Sequence, residues 1–313
     1  MSQINVDIIS PSTATTVTFT SSVKHNNSIA TGDGVNAEGS LTRAVGDYSH
    51  TEGYRTTTLS LYGHAEGQYS TSIGTASHAE GNATGAIGLY SHAEGDAVIA
   101  SGNTSHAEGA STIAGGETSH SEGYQTSAMG NAAHTEGIQA KAYGDAAHAE
   151  GNLTRAVGTN SHAEGGSTLA TNDNSHAEGY LTTASGVASH AEGNDTTASA
   201  SYSHAEGVSA VASGNGSHAE GINTIASGWY SHAGGNGSTS SGLHSFVHGF
   251  GSVASGENTI VLGASVTGTT ANTVYTPRME TALAGEGVIM KSPNGTRYKV
   301  TVTDGGTILV VSA

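Results

Sequence analysis

Histidine and glutamate are the residues of this chain whose spacing could do chemistry. Fourteen histidines recur at every fourteenth position, and a glutamate follows thirteen of them two positions later. A histidine beside a carboxylate can act as an acid–base pair, bind a metal ion or form an ion pair. The full set is His50, Glu52, His64, Glu66, His78, Glu80, His92, Glu94, His106, Glu108, His120, Glu122, His134, Glu136, His148, Glu150, His162, Glu164, His176, Glu178, His190, Glu192, His204, Glu206, His218, Glu220 and His232.

These side chains sit in a five-residue box, Ser-His-Ala-Glu-Gly, as in Ser91–Gly95; a looser box, Thr-x-Ala-x-Gly, lies midway between successive copies. In a β-strand, Ser, Ala and Gly would face one side, and His and Glu the other. The repeated glycine permits a backbone turn that other residues adopt at a cost. We therefore predict two short strands and two turns in each repeat, which form one rung of a parallel β-roll. Boxes from Gly39 to Gly263 predict seventeen coils with a total length of roughly 80 Å.

The composition favours a thin solenoid over a conventional core. The 313 residues include 46 glycines, three phenylalanines and one tryptophan, and the apolar share is 35%, against about 45–50% in typical domains. The formal charge of −17 gives nucleic acid no electrostatic reason to bind. The first residues contain no basic and apolar signal pattern, and no apolar run is long enough to span a membrane. We expect no secretory signal and no membrane insertion.

The 14-residue unit resembles the head repeat of YadA-type trimeric autotransporter adhesins, whose box reads roughly Ser-Val-Ala-Ile-Gly. The Ser-His-Ala-Glu-Gly version resembles repeats in bacteriophage tail-fibre and related virion proteins. The resemblance covers residues 28–263 and implies an all-β, left-handed parallel β-roll in which three chains surround one axis. It also implies that the Val and Ile positions face this axis. Here those positions hold His and Glu in most coils, and Ile260 and Leu262 in the last.

Three uses of the His–Glu columns follow from this arrangement. Glutamates stacked about 4.8 Å apart repel each other by about 1 kcal/mol per neighbour in water, so a structural ladder of His–Glu pairs is the favoured interpretation. It predicts raised histidine pKa values. Transition-metal ions on the axis, bound by three histidines per layer, are an alternative, although adjacent layers could not all be filled. Catalysis is disfavoured because an active site needs one distinct pocket.

The last coils depart from this chemistry. Phe246, Ile260 and Leu262 take positions on the predicted axial face, and we expect them to form an apolar plug. Trp229, Tyr230, Phe246 and Phe250 lie near this end, where a hydrophobic seal is expected and a receptor-contact patch is the alternative. Tyrosines at predicted turns, including Tyr48 and Tyr62, are expected to pack between rungs, with sugar binding as the alternative.

The predicted organisation has four parts. Residues 1–27 form an N-terminal attachment segment with strands at 4–8 and 17–19, and residues 28–263 form the β-roll shaft. Residues 264–286 are a linker that loses the 14-residue register, with one helical turn at 279–284. Residues 287–313 read as a three-stranded C-terminal β-meander, with turns at 293–295 and 304–306.

Together these features predict a non-enzymatic, homotrimeric fibre or spike of a phage or phage-like particle, with no resident cofactor. One end would join a tail, baseplate or capsid protein, and the other would contact a host receptor, with a glycan as one option. The virion is the expected location. A bacterial cell-surface adhesin that binds host matrix through the β-roll is the first alternative, and a fibre with metal ions on its three-fold axis is the second.

Overall fold

The computed structural model describes residues 27–278, 288–293, 295–302 and 306–312. Their regular structure consists of β-strands alone, and none of them belongs to a helix long and apolar enough to cross a membrane. The strands predicted at 4–8 and 17–19 and the helical turn predicted at 279–284 lie outside the described residues.

Each coil contains one strand that carries the box, the box strand, and one two-residue short strand. The box strands are Asn36–Ser40, His50–Tyr54, His64–Gln68, His78–Asn82, His92–Asp96, His106–Ala110, His120–Tyr124, His134–Ile138, His148–Asn152, His162–Gly166, His176–Tyr180, His190–Asn194, His204–Val208, His218–Ile222, His232–Asn236, Phe246–Phe250, Ile260–Ala264 and Val274–Tyr275. The short strands are Ile29–Ala30, Arg43–Ala44, Thr57–Thr58, Thr71–Ser72, Gly85–Ala86, Ile99–Ala100, Ile113–Ala114, Ser127–Ala128, Lys141–Ala142, Arg155–Ala156, Leu169–Ala170, Thr183–Ala184, Thr197–Ala198, Val211–Ala212, Ile225–Ala226, Thr239–Ser240, Val253–Ala254 and Thr267–Gly268.

The strands form two parallel sheets in which each residue pairs with its equivalent in the neighbouring coil. His92, for example, pairs with His78 on one side and His106 on the other. Each sheet has eighteen strands, so the predicted all-β solenoid is confirmed with one coil more than expected. The register continues beyond residue 263, where we expected it to be lost, because Val274 pairs with Ile260. The left-handed coil and the three-fold assembly stay predictions.

The space between the two sheets is filled by small side chains, as predicted. The box alanines, such as Ala93, and those of the short strands, such as Ala114, are fully buried. The serines before the box and the threonines of the second box are also buried. Ser91 Oγ donates a 2.7 Å hydrogen bond to the carbonyl oxygen of Gly88, and equivalent serines repeat this bond in other coils.

Glycine has a different role from the one predicted. At two corners of each coil, one residue adopts the left-handed backbone conformation with positive φ. Most of these corner residues are not glycine; Tyr62 and Tyr69, for example, have φ of 58° and 59°. The box glycine lies within the strand instead. Gly109 has φ of 109°, and a Cβ there would lie 2.2 Å from the carbonyl oxygen of Gly123 in the next coil. The glycines therefore allow successive coils to approach closely, since any side chain would collide with the neighbouring backbone.

The C-terminal residues form a separate antiparallel sheet of three strands, Val288–Lys291, Arg297–Val302 and Ile308–Ser312. Val300 of the central strand pairs with Val288 on one side and Val310 on the other. This confirms the predicted β-meander. Asn294 and residues 304–305 of the predicted turns lie outside the described residues.

Candidate functional site

The predicted His and Glu positions lie on the outer face of the sheet of box strands, called the ladder face here. Because the buried alanine between them points inward, both flanking side chains point outward. From His64 to His218, consecutive imidazole rings stack with centroids 4.6–5.0 Å apart and planes within 23° of parallel. The structure therefore brings the predicted residues together in two continuous columns.

The glutamates accompany the histidines along the face, but their pairing changes along its length. From His50 to His190, with His134 omitted, Nε2 lies 3.4–3.9 Å from a carboxylate oxygen of the same coil. Near the end the closer carboxylate belongs to the preceding coil. His218 Nε2 lies 3.5 Å from Glu206 and His232 Nε2 lies 3.2 Å from Glu220; the His232–Glu220 contact is also a hydrogen bond.

The ladder histidines are half-buried, and for five of them the environment disfavours the charged form. Nε2 of twelve of them is shielded from solvent and has no hydrogen-bond partner in the described part of the chain. Burial, followed by the charges of neighbouring histidines, lowers the pKa of His78, His120 and His148 despite the opposing glutamates. Burial and one neighbouring histidine likewise lower the pKa of His162 and His176.

The prediction of raised histidine pKa values is therefore wrong for these five residues within one chain. The physical reason is that burial disfavours the imidazolium, and histidines repeat at the same close spacing as glutamates, so imidazolium charges also repel each other along the column. Glu220 differs. Although burial opposes it, the hydrogen bond and charge of His232 hold the pKa of Glu220 below its usual value.

The predicted plug residues lie on the same ladder face. Phe246 continues the histidine column, and its ring stacks on that of His232 with centroids 4.8 Å apart. Ile260 and Leu262 are 40% and 42% exposed. Within one chain these three residues form an apolar end to a polar face, and the predicted plug requires further chains to cover it.

Sequence reasoning assigned no role to one residue at this end, His248. Gly234 replaces the glutamate of its box, and His248 occupies the glutamate column in the next coil, paired with Gly234. His248 Nδ1 lies 3.7 Å from a carboxylate oxygen of Glu220, two coils away. His248 lies two 14-residue repeats after Glu220, so the repeat register would have identified it as a member of the glutamate column.

Several groups of three side chains place potential metal ligands within 4.8 Å of one another. All belong to the ladder face among the described residues. The groups are Glu80, His92 and Glu94; His162, Glu164 and His176; His176, Glu178 and His190; His204, Glu206 and His218; and Glu220, His232 and His248.

The large aromatic side chains near the end do not form a seal within the described residues. Trp229 and Phe250 are 63% and 61% exposed, and Tyr230 stacks with His244. At the corners, Tyr48 and Tyr62 stack with ring centroids 5.5 Å apart, as expected for packing between rungs.

The comparisons with known proteins agree with this geometry. A family model described as "YadA head domain repeat (2 copies)" matches residues 65–91, 177–199, 205–231 and 240–265. No curated protein matches the chain. With eighteen parallel 14-residue coils, the repeats of this chain are YadA-like head repeats, and the chain is a fibre-like β-solenoid.

Proposed function

We propose that this chain is the trimeric shaft of a fibre or spike on a phage or phage-like particle. In this proposal the shaft separates an attachment end from a receptor-contacting end. One observation carries the trimer: a continuous face holds half-buried imidazoles along most of its length and exposed apolar side chains at its end.

Association through the ladder face would satisfy both parts of that face. Burial of Leu262 and Ile260 against the same residues of other chains would contribute about 1.5–3 kcal/mol for each fully buried side chain. The carboxylates of the ladder, which are 32–51% exposed in one chain, could approach histidines of neighbouring chains. A self-complementary stripe of this kind suits a symmetric homo-oligomer.

A structural role also fits the uniformity of the face better than catalysis does. Thirteen coils carry the same His–Glu pair in the same backbone setting, whereas an active site concentrates different groups around one reacting centre. We propose that the chain is not an enzyme.

The box sequence supports a virion fibre, since Ser-His-Ala-Glu-Gly resembles repeats in phage tail-fibre proteins. The match to a family of YadA head repeats supports a second candidate, a bacterial surface adhesin that binds host matrix through its β-roll. In both candidate functions the protein is a fibre; they differ in whether that fibre lies on a virion or on a bacterial cell surface.

Fractionation of cells that produce the protein distinguishes the two candidates. Mass spectrometry and immunogold electron microscopy would follow the chain in gradient-purified particles and in washed cell envelopes, with a known tail protein and a known outer-surface protein as controls. We expect the chain on fibres of the particles. Recovery in the envelope fraction with none on particles would overturn the virion proposal and favour the adhesin.

A further inference from the structure

The end of the ladder face contains a cluster that the repeat does not reproduce elsewhere in the described part of the chain. Nε2 of His232 lies 3.2 Å from Oε1 of Glu220, and Nδ1 of His248 lies 3.7 Å from the same oxygen. All three ligand atoms lie within 4.8 Å of one another. The side chains come from three successive coils and therefore meet across two rung spacings.

Gly234 makes this convergence possible. It lies in the coil between those of Glu220 and His248, and it lacks the glutamate side chain that fills this position in earlier coils. A Cβ at Gly234 would lie 2.5 Å from Nδ1 of His248 and 2.9 Å from Oε1 of Glu220. The missing side chain thus leaves a space into which the imidazole of one neighbouring coil and the carboxylate of the other both point.

We propose that Glu220, His232 and His248 form a binding site for one divalent transition-metal ion, of which zinc is the reference case. Two imidazoles and one carboxylate are a ligand set that Zn²⁺ uses, at about 2.0–2.2 Å from each ligand atom. In tetrahedral geometry, ligand atoms at those bond lengths lie about 3–3.5 Å apart, which the separations at Glu220 nearly match. The site leaves at least one coordination position for water, since His248 is 55% exposed.

The charge at Glu220 supports cation binding. Its carboxylate is the one negatively charged ligand in the group, and both imidazoles would bind the ion in their neutral form. Glu220 also faces no glutamate in the following coil, because Gly234 stands there. The ion would link three coils at the point where the polar ladder gives way to apolar residues.

The two ladder groups that share His176 are weaker candidates. His176 belongs both to the group with His162 and to the group with His190, so two neighbouring ions would compete for one ligand. Ions in adjacent coils would also stand about 5 Å apart and repel each other. Glu220, His232 and His248 belong to no second group among the described residues, and theirs is the group beside the vacant side-chain position of Gly234. The site lies within one chain, so it does not depend on the proposed trimer.

Zinc titration of the chelator-treated full chain tests the proposal. We expect one tight Zn²⁺ per chain by calorimetry and elemental analysis, bound in the presence of excess Mg²⁺, because imidazole ligands favour zinc over magnesium. His248→Ala, Glu220→Gln and Gly234→Ala should each weaken this site at least about tenfold. In Gly234→Ala the new methyl group displaces His248 while every proposed ligand is retained.

His106→Ala is the matched control, because it removes a ladder histidine that belongs to none of the three-residue groups in the described part of the chain. The affinity of this variant for the tightly bound zinc ion should equal that of the wild type. Equal zinc affinity in wild type, His248→Ala and Gly234→Ala would overturn the proposal, as would the absence of a tight ion in the wild type.

Zinc K-edge absorption of the wild-type protein with one equivalent of zinc gives an independent readout if a variant fails to fold. We expect two imidazole ligands per zinc. Three imidazoles would indicate an axial site between chains, and none would indicate carboxylate binding; either result would overturn the assignment.

Discussion

The coils from His50 to Glu220 and the coils from His232 to Leu262 share one backbone but carry different outer faces. Both regions keep the 14-residue parallel register and a fully buried residue at the second position of the box strand. In the first region the outward positions are stacked imidazoles and carboxylates, whereas in the second they include Phe246, His248, Ile260 and Leu262. The interior and the glycines therefore determine the coil, and the outward positions are free to specify association or binding.

The largest expected effect tests what the two regions share. Gly109→Ala and Gly235→Ala should each destabilise the solenoid by roughly 2–5 kcal/mol, since strained backbone and steric overlap contribute together. The new Cβ would lie 2.2 Å from the oxygen of Gly123 in one case and 2.1 Å from that of Gly249 in the other. Calorimetric unfolding of both variants measures the loss.

Gly251→Ser is the matched control for these substitutions. Gly251 lies at a corner with φ of 59°, and a Cβ added there would have no atom within 4 Å. Ser265 occupies the same corner one coil later. We expect Gly251→Ser to lower the free energy of unfolding by only about 1 kcal/mol. Equal losses in all three variants would show that close approach between coils is not the reason for the box glycine.

The second prediction tests the difference between the faces. Leu262→Glu extends the ladder's carboxylates into the apolar end and should dissociate the proposed trimer, because three added charges would meet at the interface. Ile225→Glu alters an isoleucine of similar exposure, 41% against 42%, on the other sheet and should leave assembly intact. Analytical ultracentrifugation compares the two variants, and dissociation of both or neither would place the interface elsewhere.

A smaller effect concerns pH and belongs to the ladder region. The pKa values of His120, His148, His162 and His176 lie below the ordinary value of 6.5 in the folded chain. The unfolded chain therefore binds protons first as pH falls, and stability should decline below about pH 6.5 until the folded values are reached. Well above that pH these groups contribute no pH dependence.

Thermal unfolding between pH 8 and pH 5 measures this decline, and His162→Gln should reduce it slightly. Single-residue histidine titrations by NMR provide the direct check. Folded pKa values above 6.5 would reverse the sign and restore the charged ladder expected from sequence.

The smallest effect concerns the corners, which lie outside both faces. Tyr48→Ala removes one ring of the Tyr48–Tyr62 stack and should cost about 0.5–1.5 kcal/mol. Tyr202→Ala is the control, because Tyr202 is 67% exposed and has no stacked ring among the described residues. It should lower the free energy of unfolding by less than Tyr48→Ala does. Chemical denaturation distinguishes them, and equal losses would show that the stack contributes nothing.

Much of the fold could be predicted from the sequence, because the side-chain alternation of a strand and the 14-residue period together specify inward and outward positions. The inward Thr112 and Ala114 and the outward His92 and Glu94 follow directly from this alternation. The period placed residues such as Tyr62 at turns, but their positive φ could not be predicted, because they are not glycine.

The chemistry of the ladder face was less predictable. Its histidine pKa values depend on the balance between burial, neighbouring imidazoles and neighbouring carboxylates, and spacing alone does not determine which of these dominates. The sequence places Gly234 and His248 in the repeat register but does not indicate that they act together. Their importance became visible only when the structure placed His248 beside Glu220, which lies two coils earlier in the chain.

The most direct test of the shared ladder face is the solution molar mass of the full chain by light scattering at pH 7.5. A mass of about 93 kDa, three times the chain mass of 31.0 kDa, is the predicted result and supports three chains joined along this face. A mass near 31.0 kDa would contradict the trimer and leave the ladder as an outward surface of a single solenoid.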